Sequence, residues 1–176
     1  MAEEKKVKVV FDADVIIHFA KAGRLLELPS ILPEFQFLVL DVVKRELSTV
    51  VLSILDKMIS QDKTLVEAQF GCSQGEIKEY ARLTSTSGLC LGRGESACMV
   101  YCLYHRDVLG SSNLKDIHRY CEEKGIIYLT TLDFLFYAIQ RGRMTKTEAE
   151  AFVNIVVESG SKLPLVDFDT YVCTKI

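Results

Sequence analysis

Apolar residues follow two rhythms along this chain. Residues 7–12, VKVVFD, and 36–40, QFLVL, are short apolar and β-branched runs of the kind that fill a central buried strand. Elsewhere apolar positions recur at three- and four-residue spacing, the pattern of a helix with one buried face. A short helix is predicted from about Val15, with Ile16, Ile17 and Phe19 inward. The segment LLELPSILPEF holds two prolines and reads as a turn-rich connection. Asp41 then stands where it can cap one long helix through about Ser60, with Val43, Leu47, Val50, Val51, Ile54, Leu55 and Met58 along its inner face.

The alternation continues in the second half. TLVEAQF suits a short or edge strand, and Ser73 opens a helix that fades in the TSTSG loop. From Gly94 to about His105 the helical run is almost wholly apolar, which predicts a central, buried helix. Asp107–Gly110 is a short strand leading into SSN, and residues 114–124 form an amphipathic helix stopped at Gly125. Ile126–Leu129 is a further strand. Two helices follow, LDFLFYAIQRG and TKTEAEAFVNIVVESG, the second with Thr145 and Glu148 spaced as a capping box.

Strands separated by helices need crossover connections, so the expected class is α/β with a central parallel sheet. No repeat or linker divides the sequence, and one domain is expected over residues 1–176, with 160–176 as a C-terminal strand or arm.

Composition narrows the setting. No apolar run approaches the roughly 18–20 residues needed to span a bilayer. The N-terminal MAEEKK lacks an apolar signal region, so a cytoplasmic protein without membrane association is expected. The six cysteines form no CxxC pair and are read as buried free thiols. A net charge of −3 gives the whole molecule no general attraction for nucleic acid. A local patch from Lys44, Arg45, Arg93, Lys115, Arg119, Arg141 and Arg143, or a bound divalent cation, would have to supply it.

Acidic residues carry the candidate chemistry. In open parallel α/β sheets, ligands bind beyond the carboxyl ends of the strands. Asp12 ends the first strand, Asp116 follows the strand that leads into SSN, Glu46 follows the second strand, and Glu95 opens the buried helix at GRGE. All four can reach one rim of the sheet. Two unit charges about 4 Å apart repel by roughly 4 kcal/mol at an effective dielectric near 20, so such a cluster calls for a counter-ion. An all-oxygen donor set suits Mg²⁺ or Mn²⁺, and such ions activate water against phosphodiesters. Each acid also has an ordinary role open to it, as a helix cap, a first-turn acid or a solvated surface residue. Asp14 can cap the first helix or support the site, and Asp133 can cap the LDFLFYAIQ helix. His18, His105 and His118 share no zinc-like spacing and are read as structural.

FDADVII, DVVKREL, LGRGESACMVYCL and SSNLKDI, in that order, resemble the PIN-domain ribonucleases, which include the VapC-type toxins of toxin–antitoxin modules. The resemblance runs from about residue 7 to residue 145, and the GRGE turn and LTTLDFLFYAIQRGRM resemble a longer, uncharacterised PIN subgroup. It implies a three-layer α/β/α domain with Asp12, Glu46, Glu95 and Asp116 as catalytic acids. Asp12, Glu95 and Asp116 would be metal ligands, and Asp14, Ser111 and Asn113 would support them. It further implies a Mg²⁺- or Mn²⁺-dependent endoribonuclease, a homodimer, and an antitoxin partner. The chain departs from the longer subgroup where paired acids usually stand, at Ser112 and Asn113.

Two other readings remain open at this level. VVFDADVI also resembles the first motif of haloacid-dehalogenase-type phosphatases, in which Asp12 would be the nucleophile and Asp14 the general acid. Alternatively, the chain is a PIN-like binding domain whose catalytic site has decayed.

Overall fold

The computed structural model describes residues 6–176. Residues 1–5, and with them most of the N-terminal stretch read for a signal region, lie outside that range. β1 (Lys8–Phe11), β2 (Gln36–Leu40), β3 (Leu65–Ala68), β4 (Val108–Gly110) and β5 (Tyr128–Leu129) form one sheet in the order β3-β2-β1-β4-β5. Every pairing is parallel, with Val10 opposite both Leu38 and Leu109. Val9, Val10 and Phe11 are all buried although successive residues face opposite sides of a strand. Both faces are therefore covered, and the architecture is three layers, α/β/α.

α1 (Ala13–Lys21), α8 (Thr131–Gln140) and α9 (Lys146–Glu158) meet through an aromatic cluster. Phe19 packs edge-on to Phe134 and Phe152, and Phe134 tilts against Phe11. α6 (Arg93–His105) lies against β1 and packs with α5 (Gln74–Thr84) and α7 (Leu114–Lys124). Its residues Ser96–Cys102 are all buried, as its uninterrupted apolar run requires. Gly125, at φ +67°, ends α7 and donates to the carbonyls of Cys121 and Glu122. The Thr145–Glu148 capping box opens α9. No helix among the described residues is long and apolar enough to cross a membrane.

Three expectations change. The single helix predicted from Asp41 to Ser60 is two: the one-turn α3 (Asp41–Lys44) and α4 (Thr49–Ser60). Ser48 interrupts them because its hydroxyl accepts from the Val51 amide and starts a new helix. The short α2 (Leu28–Ile31) forms inside the proline-rich connection, since Pro29 sits in a first turn where no amide hydrogen is needed. Residues 160–176, read as a strand or arm, run as an irregular arm anchored by buried Leu163, Phe168 and Cys173. Of the cysteines, Cys98, Cys102, Cys121 and Cys173 are buried as expected, but Cys72 and Cys90 are exposed in the loops flanking α5.

The topology locates a cleft. From β1 the chain winds outward to β2 and β3, then returns to β4 on the other side of β1 and continues to β5. The carboxyl ends of β1 and β4 flank this reversal, where connections leave in opposite directions and open a crevice.

Candidate functional site

Asp12 follows β1 at that crevice and is 2 % exposed. Its Oδ1 accepts the Ala13 amide at 2.8 Å and caps α1, and its Oδ2 accepts the Ser111 hydroxyl at 3.0 Å. The Asp12 amide donates to the carbonyl of Gly110 at 2.8 Å, so the ends of β1 and β4 are fixed together. Asp14 accepts the Val15 amide at 2.6 Å and the Ser112 amide at 2.7 Å, one on each oxygen.

Glu95 lies in the first turn of α6 and Asp116 in the first turn of α7. The Asn113 side-chain amide donates to both, to Glu95 Oε1 and, at 2.9 Å, to Asp116 Oδ2. The other oxygen of Glu95, Oε2, is buried without a hydrogen-bond partner. Glu46 stands in the turn between α3 and α4, and its Oε1 accepts the Gly94 amide at 2.9 Å. α6 has no side-chain cap of its own, so Glu46 satisfies one of its free amides from across the crevice. Gly94 makes this approach feasible, because a Cβ there would sit 2.8 Å from both Glu46 carboxylate oxygens.

The N-termini of α1, α6 and α7 thus face a shared cluster of acids, and their partial positive charge offsets some of the repulsion. It does not offset all of it. Burial raises the Asp12 carboxyl well above its ordinary range, and the charges of Asp14 and Glu95 push it further. Burial likewise raises Asp14 to about 6, against the backbone amides of Ser112 and Val15 that favour its charged form. Glu95 is raised by burial first, then by Asp116, Asp14 and Glu46, while Asn113 opposes the shift.

A hard divalent cation fits this chemistry. The donors are all oxygen, the neighbouring carboxyls resist ionising together, and Glu95 Oε2 is a buried acceptor with nothing to accept. Among the described residues no three His, Cys, Asp or Glu side chains converge closely enough to enclose an ion. An enclosing cage is not required, because Mg²⁺ characteristically keeps several waters and takes only one or two carboxylates.

The residues predicted from sequence are therefore neighbours. Asp12 and Ser111 form one pair, Asp14 joins the loop through Ser112, and Glu95, Asn113 and Asp116 form a triad that Glu46 approaches through Gly94. The basic residues do not form one patch. Arg141 lies at the far end of α8 and pairs with Glu34, and Lys44 is held by Asp56 and Glu67. Arg93 and Lys115, two and one residues before Glu95 and Asp116 in the chain, are exposed and form no ion pair among the described residues.

Structural roles account for several other polar residues. Asp133 completes a capping box with Thr130 and also accepts Tyr171 at 2.7 Å and Lys175 at 2.8 Å. Burial alone would raise its carboxyl, but Lys175, Thr130 and Tyr171 hold it below the usual range. His105 reaches Glu76, and His118 meets the Tyr128 hydroxyl at 2.8 Å. His18 is buried against Thr131, and burial lowers it to about 4. Sequence reasoning missed Gly94 and Thr131. The glycine immediately before Glu95 was a signal for the first, whereas nothing local marked the second.

No protein-family model matches the chain, and no curated protein sequence does. Among solved structures, VapBC2 from Rickettsia felis, bound to a DNA fragment from its promoter, is similar with a TM-score of 0.50. Identity there is 16 %, over 70 % of this chain and 98 % of that one. A PilT N-terminus domain protein from the archaeon Sulfolobus solfataricus aligns at 14 % identity over 73 % of this chain and 91 % of its own, with a TM-score of 0.42. At these identities the likeness to the Rickettsia structure is one of fold, and the fold is a PIN-like three-layer α/β/α arrangement.

Proposed function

We propose that the chain is a metal-dependent endoribonuclease that hydrolyses RNA phosphodiesters at the crevice between β1 and β4. The observation that carries the reading is the buried, unpartnered Glu95 Oε2 among carboxyls that resist ionising together. Asp12, Glu95 and Asp116 would hold Mg²⁺ or Mn²⁺, one or two of them directly and the rest through its bound waters, and the ion when bound lowers the pKa of water and offsets charge on the phosphate. Ser111 fixes the Asp12 carboxylate, and Asn113 holds Glu95 and Asp116 at one spacing. Glu46 is the remaining acid at the rim and the candidate to orient an attacking water. Arg93 and Lys115 flank the acids and offer the phosphate backbone its attraction on a chain of net charge −3.

The PIN-like fold supports the reading, and so does the sequence resemblance to VapC-type toxins. An antitoxin that restrains the enzyme, a homodimer and a cytoplasmic setting belong to the same proposal. The phosphatase alternative leaves Glu46 and Glu95 idle and has Asp116 alone where that family needs paired acids for its metal. Among the described residues, moreover, no lysine hydrogen-bonds to Asp12 or Asp14.

Thermal unfolding with chelator and with rising Mn²⁺ tests the metal site. An ion that binds only the folded chain stabilises it by about 2.7 kcal/mol at a hundredfold excess over Kd. The expected result is a Mn²⁺-dependent rise in Tm that Glu95→Gln abolishes. A rise that survives Glu95→Gln but is lost in Asp14→Asn would favour the phosphatase, and no rise in the native chain would favour a decayed site.

A further inference from the structure

Beneath the carboxylates a second polar chain runs into the core. His18 lies on α1 four residues after Asp14, so the two side chains leave one face of the helix a turn apart. Each grips the same residue by a different route. The Ser112 amide donates to Asp14 Oδ2 at 2.7 Å. The Ser112 hydroxyl donates to Thr131 Oγ1 at 2.8 Å, and the Thr131 amide donates back to Ser112 Oγ at 2.8 Å. His18 Nδ1 lies 2.9 Å from Thr131 Oγ1.

The proton count is consistent in one direction. Ser112 spends its hydroxyl proton on Thr131, so Thr131 has its own to donate to His18 Nδ1, which accepts it as a neutral ring protonated at Nε2. The start of α8, the 111–113 loop and α1 are thereby tied together. Asn113, the next residue in that loop, bridges Glu95 and Asp116.

We propose that His18 is a positioning residue which, through Thr131 and Ser112, holds Asp14 and the 111–113 loop in register with the acids of the site. The consequence for metal binding rests on the nuclease reading, whereas the tie itself does not. The test compares the native chain with His18→Phe, which keeps a ring but accepts nothing, and His18→Asn, whose Oδ1 can stand near the position of Nδ1. Amide hydrogen exchange of residues 111–114 is followed in the metal-free chain, and Mn²⁺ affinity is measured by calorimetry.

His18→Phe should speed exchange in 111–114 while β1 and β2 stay protected, and should weaken Mn²⁺ binding about tenfold or more. His18→Asn should recover both. If His18→Phe does not fold, Thr131→Val breaks the same link and must give the same selective loss. Unchanged exchange, a loss spread evenly over the core, or faster exchange with unaltered Mn²⁺ affinity would each overturn the proposal. A native chain that binds no Mn²⁺ and cleaves no RNA would sink the nuclease reading instead, and the exchange data would still decide whether the tie exists.

Discussion

Gly94 separates stability from chemistry at the scale of one residue. An alanine inside a helix is favoured over glycine by roughly 0.5–1 kcal/mol, and losing the Glu46 bond to the start of α6 costs a comparable amount, so Gly94→Ala should leave the fold intact and its stability within about 1 kcal/mol of the native chain. The added Cβ meets the Glu46 carboxylate at 2.8 Å, and that flexible side chain must swing away from α6. A cleavage rate reduced about tenfold beside a nearly unchanged Tm is the expected outcome, by the usual effect of disturbing a supporting contact. Equal activity would show that Glu46 has no part in the site. Asp14 ties the stability of the folded chain to pH. Its carboxyl is raised to about 6 from an ordinary value of 3.8, so between those values the folded chain holds a proton that the unfolded chain has released. Its contribution to stability is therefore lost as pH rises through that window. His18, lowered to about 4, works in the opposite sense, so the comparison must be with Asp14→Asn. Without divalent ions, the variant's stability relative to the native chain should improve from pH 4 to 6. A constant difference would mean that burial does not perturb Asp14.

Among the elements, the helices and strands were legible wherever periodicity was uninterrupted, as in α6, α7 and α9. The break at residues 45–48 was hidden because Val50 and Val51 continue the three- and four-residue spacing across it. Val50 is nevertheless 71 % exposed, and Ser48 was the local signal that a new helix begins. The irregular arm at 160–176 was hard to read because its alternation resembles a strand, while its contacts are with the side chains of α1, α8, α9 and β5. Lys175 pairs there with Asp133, which is 2 % exposed, and lies over the Tyr128 ring at 4.2 Å. Lys175→Met should lower stability by roughly 1–3 kcal/mol, since breaking a buried pair leaves a charge behind, less the screening of a partly exposed lysine. Mn²⁺ affinity should not change. A Tm equal to that of the native chain would show that the arm contributes nothing through this pair.

For the whole molecule, the sheet order explains why acids distant in sequence meet. Asp12, Glu46, Glu95 and Asp116 were singled out because ligand sites lie beyond strand carboxyl ends, and the β3-β2-β1-β4-β5 order brings the relevant loops to one crevice. The sequence could not reveal that Glu46 would bind the amide of Gly94, or that Thr131 would link Ser112 to His18. Those contacts span loops whose meeting is set by the packed sheet, and local pattern carries no trace of it. The candidate basic residues do not gather into one patch for the same reason, since Arg141 and Lys44 have acidic partners elsewhere. Cleavage of an end-labelled single-stranded RNA is the decisive test of this assembled crevice. The native chain and Glu95→Gln are compared with Mn²⁺ and with chelator. Internal cleavage by the native chain with Mn²⁺ only, and none by Glu95→Gln, is the predicted result; cleavage that survives chelation or Glu95→Gln would contradict it.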